Sequence, residues 1–191
     1  MQRLPQAEYL GLGRQLACLL GACLEGASGD VFRELARAYD PSANEARISA
    51  EVFLFHKYLL MQSCVGVFPE SEVEHIVGGL CAALNERASG LEFSPERQEA
   101  MEQMWQLRAA KFEQPFWHDR VQFFDEGSGP IHWKQTIVQF CQNVRAIDNP
   151  PNIWAGADGP SQAASRSVTA ALDYMVSALS EMNRLHFSGE V

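Results

Sequence analysis

Apolar residues recur at helical spacing along nearly the whole chain. The clearest stripe lies in residues 73–84, where the apolar positions follow i, i+3, i+4, i+7: Val73, Ile76, Val77, Leu80, Cys81 and Leu84. No segment alternates apolar and polar residues as a half-buried strand would. The pattern therefore predicts an all-α protein in which each helix has one face to bury.

Turn and cap residues divide this pattern into seven or eight helices. Asp30 is expected to cap the second helix, Ser71 and Glu74 to form a capping box, and Ser94 to precede Pro95 at the start of the fifth. Pro115 starts or kinks a further segment. The predicted ranges are 5–24, 30–39, 44–65, 71–88, 95–112, 116–124, 133–147 and 161–185.

Short breaks between long amphipathic helices predict a helical bundle with mostly antiparallel neighbours. We expect one all-helical domain over residues 1–191, and the Gly-Ser-Gly-Pro break at 127–130 is the one plausible subdomain seam. The helices at 44–65, 133–147 and 161–185 are expected to form much of the core.

Charge excludes several classes of partner. Fifteen basic residues against twenty-four acidic ones give a net charge of −9, and the basic residues are scattered singly. Nucleic acid and anionic membrane surfaces are therefore disfavoured, because both need clustered Lys and Arg. Residues 70–113 carry nine acids and four bases, a net of −5. This segment is either a solvated helical hairpin or a docking face for a basic partner.

The cysteines and the first helix indicate a cytoplasmic protein. The five cysteines include no CxxC pair, and most lie on or beside apolar stripes, so we expect reduced core thiols. The apolar run at 16–24 is too short to span a membrane and fits a mature helix better than a signal peptide.

Residues 105–133 are unusually aromatic, and three interpretations remain open. The rings can fill the core, form an interface with a protein partner, or line a pocket for a small apolar ligand. Trp154 stands apart, in a proline-stiffened loop that is either functional or pinned to the body by this ring. The candidate binding residues here are Trp105, Phe112, Phe116, Trp117, His118, Trp133 and Trp154.

Titratable residues provide few candidates for chemistry. His56 lies in the most apolar helix with Glu51 nearby, so it is either a satisfied core residue or a general base. Residues 117–120 place His118 next to an acidic and a basic residue. Adjacent residues on a helix do not face each other, so this is not a preformed catalytic pair. Glu72 and His75 form a single Glu-x-x-His, where a di-iron bundle needs two. We expect no metal and no cofactor.

These observations predict a non-enzymatic cytoplasmic protein that binds a protein partner, or a second copy of itself, through an acidic helical face and the aromatic segment. The alternative is a small-molecule-binding protein or enzyme with an aromatic pocket around residues 105–133.

Overall fold

The computed structural model describes residues 4–89, 94–126, 133–145 and 160–187. Over these ranges the chain forms seven helices and no strand, which confirms the all-α prediction. The helices are α1 (Gln6–Glu25), α2 (Ala27–Tyr39), α3 (Glu45–Val67), α4 (Glu70–Ser89), α5 (Pro95–Glu126), α6 (Lys134–Arg145) and α7 (Pro160–Phe187). Within the described ranges, none of these helices has the length and hydropathy needed to cross a bilayer.

Two predicted helix starts are wrong and one is confirmed. α2 begins at Ala27 after Gly26, so Asp30 lies inside its first turn rather than at its cap. α4 begins at Glu70, and the Ser71 hydroxyl donates to the Glu72 carboxylate at 3.3 Å instead of forming a capping box. Ser94 does cap α5, because its Oγ accepts the Arg97 N–H at 3.4 Å.

Pro115 does not divide α5. The helix continues from Pro95 to Glu126 and joins the two helices predicted at 95–112 and 116–124. A proline inside a helix removes one backbone hydrogen bond and costs about 3 kcal/mol, so tertiary packing must stabilise this helix across the proline.

The chain forms two compact units, and neither is one continuous stretch. The first unit contains Met1–Ala22, Leu59–Gln103 and Leu172–Val191, and the second contains Cys23–Tyr58 and Met104–Ala171. The divisions fall inside α1, α3, α5 and α7. The seam expected at 127–130 lies outside the described residues, so the domain prediction stays a prediction.

The first unit is built on a close approach of α1 and α4. A Cβ on Gly79 would lie 2.2 Å from the Tyr9 carbonyl oxygen, and one on Gly13 would lie 2.1 Å from the Gly79 carbonyl oxygen. The Tyr9 hydroxyl donates to the buried Glu72 carboxylate beside this crossing. Only glycine allows the two backbones to approach this closely.

The second unit is built on a chain of buried aromatic rings. Phe32 of α2 and Phe55 of α3 have ring centroids 4.6 Å apart, and both contact Phe140 of α6. The chain continues through Phe112 and Tyr58 to Phe116. Such tilted and edge-to-face pairs are the favoured ring geometries. Aromatic packing therefore joins four helices within this unit.

All five cysteines are free, and Cys23, Cys64 and Cys141 are buried. Burial raises the pKa of the Cys64 and Cys141 thiols to about 12. These two thiols are protonated at neutral pH and pack as small apolar side chains.

Candidate functional site

α5 has two chemically different faces within the second unit. Its inner face carries Trp105, Phe112, Phe116 and Asp119, all of which are buried. Its outer face is exposed. The aromatic segment at residues 105–133 therefore contributes to both the core and the surface. The inner face explains how α5 is held, and the outer face is the candidate functional surface.

Polar contacts with α3 fix the orientation of α5. The Arg108 guanidinium donates to both Glu51 carboxylate oxygens at 3.0 Å, and the Glu51 side chain is only 3% exposed. One turn away, the Lys57 ammonium lies 4.1 Å from the Trp105 ring centroid. A guanidinium group that donates to both oxygens of a carboxylate is directional as well as strong. The pair between Arg108 and Glu51 therefore sets the rotation of α5 about its own axis.

Asp119 caps the next helix from a distance. Its buried carboxylate accepts the backbone N–H groups of Gln135 and Thr136, at 3.1 and 2.8 Å, and the Thr136 hydroxyl at 2.7 Å. These N–H groups lie in the first turn of α6, where no intrahelical acceptor exists. The Asp119 side chain therefore stabilises α6 and ties it to α5. His118 beside it is half exposed, with Nδ1 4.0 Å from the nearer Asp119 oxygen.

Phe116 and Trp133 bury each other. Their ring centroids lie 5.1 Å apart with an interplanar angle of 25°, and each side chain is at most 1% exposed. The Trp133 indole N–H donates to Thr169 Oγ1 at 3.0 Å, and the Trp133 backbone N–H donates to Ser165 Oγ at 3.1 Å. Both rings therefore belong to the core of the second unit.

Exposed residues with heptad spacing follow the outer face of α5. Leu107 is 63% exposed, Trp117 43% and Val121 53%. With the exposed Ala110 and Gln114 between them, these residues are spaced 3, 4, 3 and 4 apart. We call these five residues the outer stripe. The spacing is that of the a and d positions of a coiled coil, which face a partner helix.

Charged or titratable side chains flank the outer stripe on both edges. The a positions are residues 107, 114 and 121, and the d positions are 110 and 117. Lys111 and His118 each follow a d position and lie on one edge of the stripe. Glu113 and Arg120 each precede an a position and lie on the other edge. The Arg120 guanidinium carbon lies 5.0 Å from the Trp117 ring centroid. The stripe thus combines four apolar side chains and one glutamine with a rim that carries charges of both signs, and a polar rim is usual at a protein interface.

His56 is a satisfied core residue. Its Nδ1 lies 2.8 Å from the Val52 carbonyl oxygen and its Nε2 lies 2.9 Å from Ser28 Oγ. The Ser167 hydroxyl in turn donates to Ser28 Oγ at 3.1 Å. Burial lowers the pKa of His56 to about 4, so the ring is neutral at pH 7. Glu51, the carboxylate considered as its partner, pairs with Arg108 instead.

The structure separates the eight candidate residues. Trp117 and His118 lie on the exposed face, whereas Trp105, Phe112, Phe116, Trp133 and His56 are buried within the second unit. Trp154 lies outside the described residues. Sequence reasoning missed four members of the outer stripe: Leu107, Ala110, Gln114 and Val121. Their heptad spacing was visible in the sequence but was interrupted by Pro115, which indicated a helix boundary.

A second surface feature lies in the first unit, in an open groove of about 570 Å³ between α1 and α4. The Tyr9 and His75 rings, with centroids 5.2 Å apart, form part of its wall. Its lining residues are Gln6, Ala7, Tyr9, Leu10, Glu74, His75, Gly78, Gly79 and Ala82.

Over the described ranges, no three His, Cys, Asp or Glu side chains come together as a metal site would require. Comparison of the chain with protein-family models, with curated proteins and with solved structures found no match. Any functional proposal therefore depends on the surfaces themselves.

Proposed function

We propose that this protein is a non-enzymatic interaction module whose outer stripe binds an amphipathic helix of another protein chain. The observation that carries the proposal is the exposure of Leu107, Trp117 and Val121 at heptad spacing on one face of α5. A helix with apolar residues at the same spacing would cover this stripe along its length.

Two physical arguments support this assignment. Trp117 is the largest side chain of the stripe, and tryptophan is among the residues enriched where a few side chains dominate binding energy. The inner face of α5 is also anchored, through the pair between Arg108 and Glu51 and the cap that Asp119 provides to α6. A stripe on an anchored helix loses little conformational entropy when a partner binds.

The surroundings of His56 favour binding over catalysis. A general base needs a pKa near the working pH and a group that stabilises its charged form. Burial, together with the smaller effect of the nearby Arg33 charge, lowers the pKa of His56 to about 4. Ser28 and the Val52 carbonyl already occupy both ring nitrogens.

Site-specific photo-crosslinking in cells that produce the protein tests the proposal. A photoreactive phenylalanine analogue at Leu107 or Val121 should give discrete covalent adducts with another chain. The same analogue at Leu185, which is 64% exposed on α7, is the matched control and should give none. Equal adduct patterns from both sets of positions, or no adducts at all, would contradict the proposal.

The role of residues 70–113 as an acidic docking face remains a prediction. The alternative of an aromatic ligand pocket around residues 105–133 also remains a prediction. We also propose a cytoplasmic location, supported by the five free cysteines. Fractionation of the producing cells would test it, and recovery of the protein outside the cytoplasm would refute it.

The groove between α1 and α4 supports a second candidate function, binding of a small organic cation. Its volume is within the range of small-molecule sites, and none of the described residues that line it is Lys or Arg. The Glu74 carboxylate would balance the positive charge of the ligand, and the Tyr9 ring would contact the ligand. Spermidine should raise the melting temperature of the protein, and Glu74→Gln should remove that effect while Glu99→Gln, on α5, leaves it. An equal response from both variants would refute a specific site.

A further inference from the structure

We infer that the occupant of the outer stripe is a second copy of this chain, with the two α5 helices antiparallel. This inference rests on the proposed function and goes beyond it by naming the partner. Two copies of a stripe of a and d positions can pack against each other, because their side chains are spaced identically along the helix. A two-fold axis through the stripe then closes the assembly as a dimer.

The sizes of the side chains favour one antiparallel register. Antiparallel coiled coils place a positions opposite d positions, so Gln114 would face the partner's Trp117. Ala110 would then face the partner's Val121, so within residues 110–121 each large side chain lies opposite a smaller or more flexible one, and Leu107 lies at the end of the contact, opposite the partner's position 124. In a parallel pair, Trp117 would meet its own copy across the contact. Alternating large and small side chains allow closer packing of the helices.

The charged rim favours the same register. In it, Glu113 lies beside the partner's Arg120, and the two-fold axis repeats this attraction on the same edge of the pair. Lys111 lies beside the partner's His118, which adds no attraction. Opposite charges at flanking positions set orientation in coiled coils, and antiparallel helix dipoles also attract.

The length of the stripe limits the affinity. Leu107 and Val121 are fourteen residues apart, which corresponds to about 21 Å of helix at the rise of an α-helix. Such a contact buries less than about 1,200 Å², in the range of weak and transient interfaces. We therefore expect a dissociation constant of roughly micromolar to millimolar order.

Sedimentation of the full chain from about 5 µM to about 1 mM tests the inference. The average mass should rise with concentration from one chain toward two. Leu107→Glu and Val121→Glu should each weaken association at least about tenfold, because each replaces an exposed apolar side chain of the stripe with a charge. Leu185→Glu, on the exposed part of α7, is the matched control and should associate like the parent. Circular dichroism of each variant confirms that it is folded.

A charge-reversal cycle tests the antiparallel register. Glu113→Arg and Arg120→Glu should each weaken association about threefold to tenfold, and the double variant should recover to within about twofold of the parent. If association is lost with Leu107→Glu but the double variant shows no recovery, the register is refuted.

The outcomes separate this inference from the proposed function. A chain that remains monomeric over the whole range overturns the second copy as occupant. If photo-crosslinking at Leu107 and Val121 still gives adducts of another mass, the outer stripe binds a different protein and the proposed function survives. A dimer that is insensitive to both glutamate variants overturns the inference about the stripe itself.

Discussion

The neutral, buried His56 should make the stability of the protein depend on pH. In the folded chain its pKa is about 4, against 6.5 for an unperturbed histidine. Between these values the unfolded chain binds more protons than the folded chain, so stability rises with pH in this window. The contribution is complete above about pH 7 and is lost as pH falls from 6.5 toward 4.

The size of the effect follows from the same two values. A difference of 2.5 pKa units corresponds to about 3 kcal/mol at 1.36 kcal/mol per unit. Of this, about 2 kcal/mol should be lost by pH 5 and nearly all of it by pH 4. That is a large share of the stability of a domain of ordinary size.

Urea unfolding of the parent and of His56→Gln between pH 4 and 8 measures this contribution. The other titrating groups cancel in the difference between the two free energies of unfolding. That difference should be constant above pH 7 and should fall by about 3 kcal/mol toward pH 4. Ser28→Ala, which removes a hydrogen-bond partner but keeps the imidazole, should retain the full pH dependence of the parent. A difference between parent and His56→Gln that does not change with pH would refute the reasoning.

Two further predictions concern packing and capping. Gly79→Ala should destabilise the protein by about 1–3 kcal/mol, because its Cβ would meet the Tyr9 backbone. Gly78→Ala, which meets nothing within 4 Å, should be stabilising by up to about 1 kcal/mol; equal thermal-melting shifts for the two variants would contradict this. Asp119→Ala should cost about 2–4 kcal/mol in urea unfolding, because it removes three hydrogen bonds at the start of α6. The exposed Asp173→Ala is its control, and a similar loss in both would contradict the capping role.

The helical architecture could be predicted from periodicity alone, since each amphipathic stripe reports which face of a helix is buried. The helix starts were less certain, because capping is settled by tertiary contacts. Ser71 has the sequence signature of a cap but lies inside α4. Asp119 has no such signature and caps α6 across seventeen positions of sequence.

The candidate site was predicted only in part. Aromatic density drew attention to the segment that forms most of α5, but composition cannot tell the inner face from the outer one. Phe116 and Trp117 are adjacent in sequence, yet one is buried and the other is half exposed. The partners of His56 could not be predicted either, because Ser28 reaches it from another helix.

Within each unit, contacts between residues far apart in the sequence affect how the protein can fold. Ser167 bonds to Ser28 across 139 positions, and Asn183 bonds to the Val67 carbonyl across 116. Such pairings close long loops, so folding should be slower than in helical proteins with mostly local contacts. The ribosome makes α7 after the other helices described, so in a nascent chain Trp133 and Phe68 still lack their α7 partners Thr169 and Phe187. Production of the protein should therefore depend on chaperones that shield apolar surface until synthesis is complete.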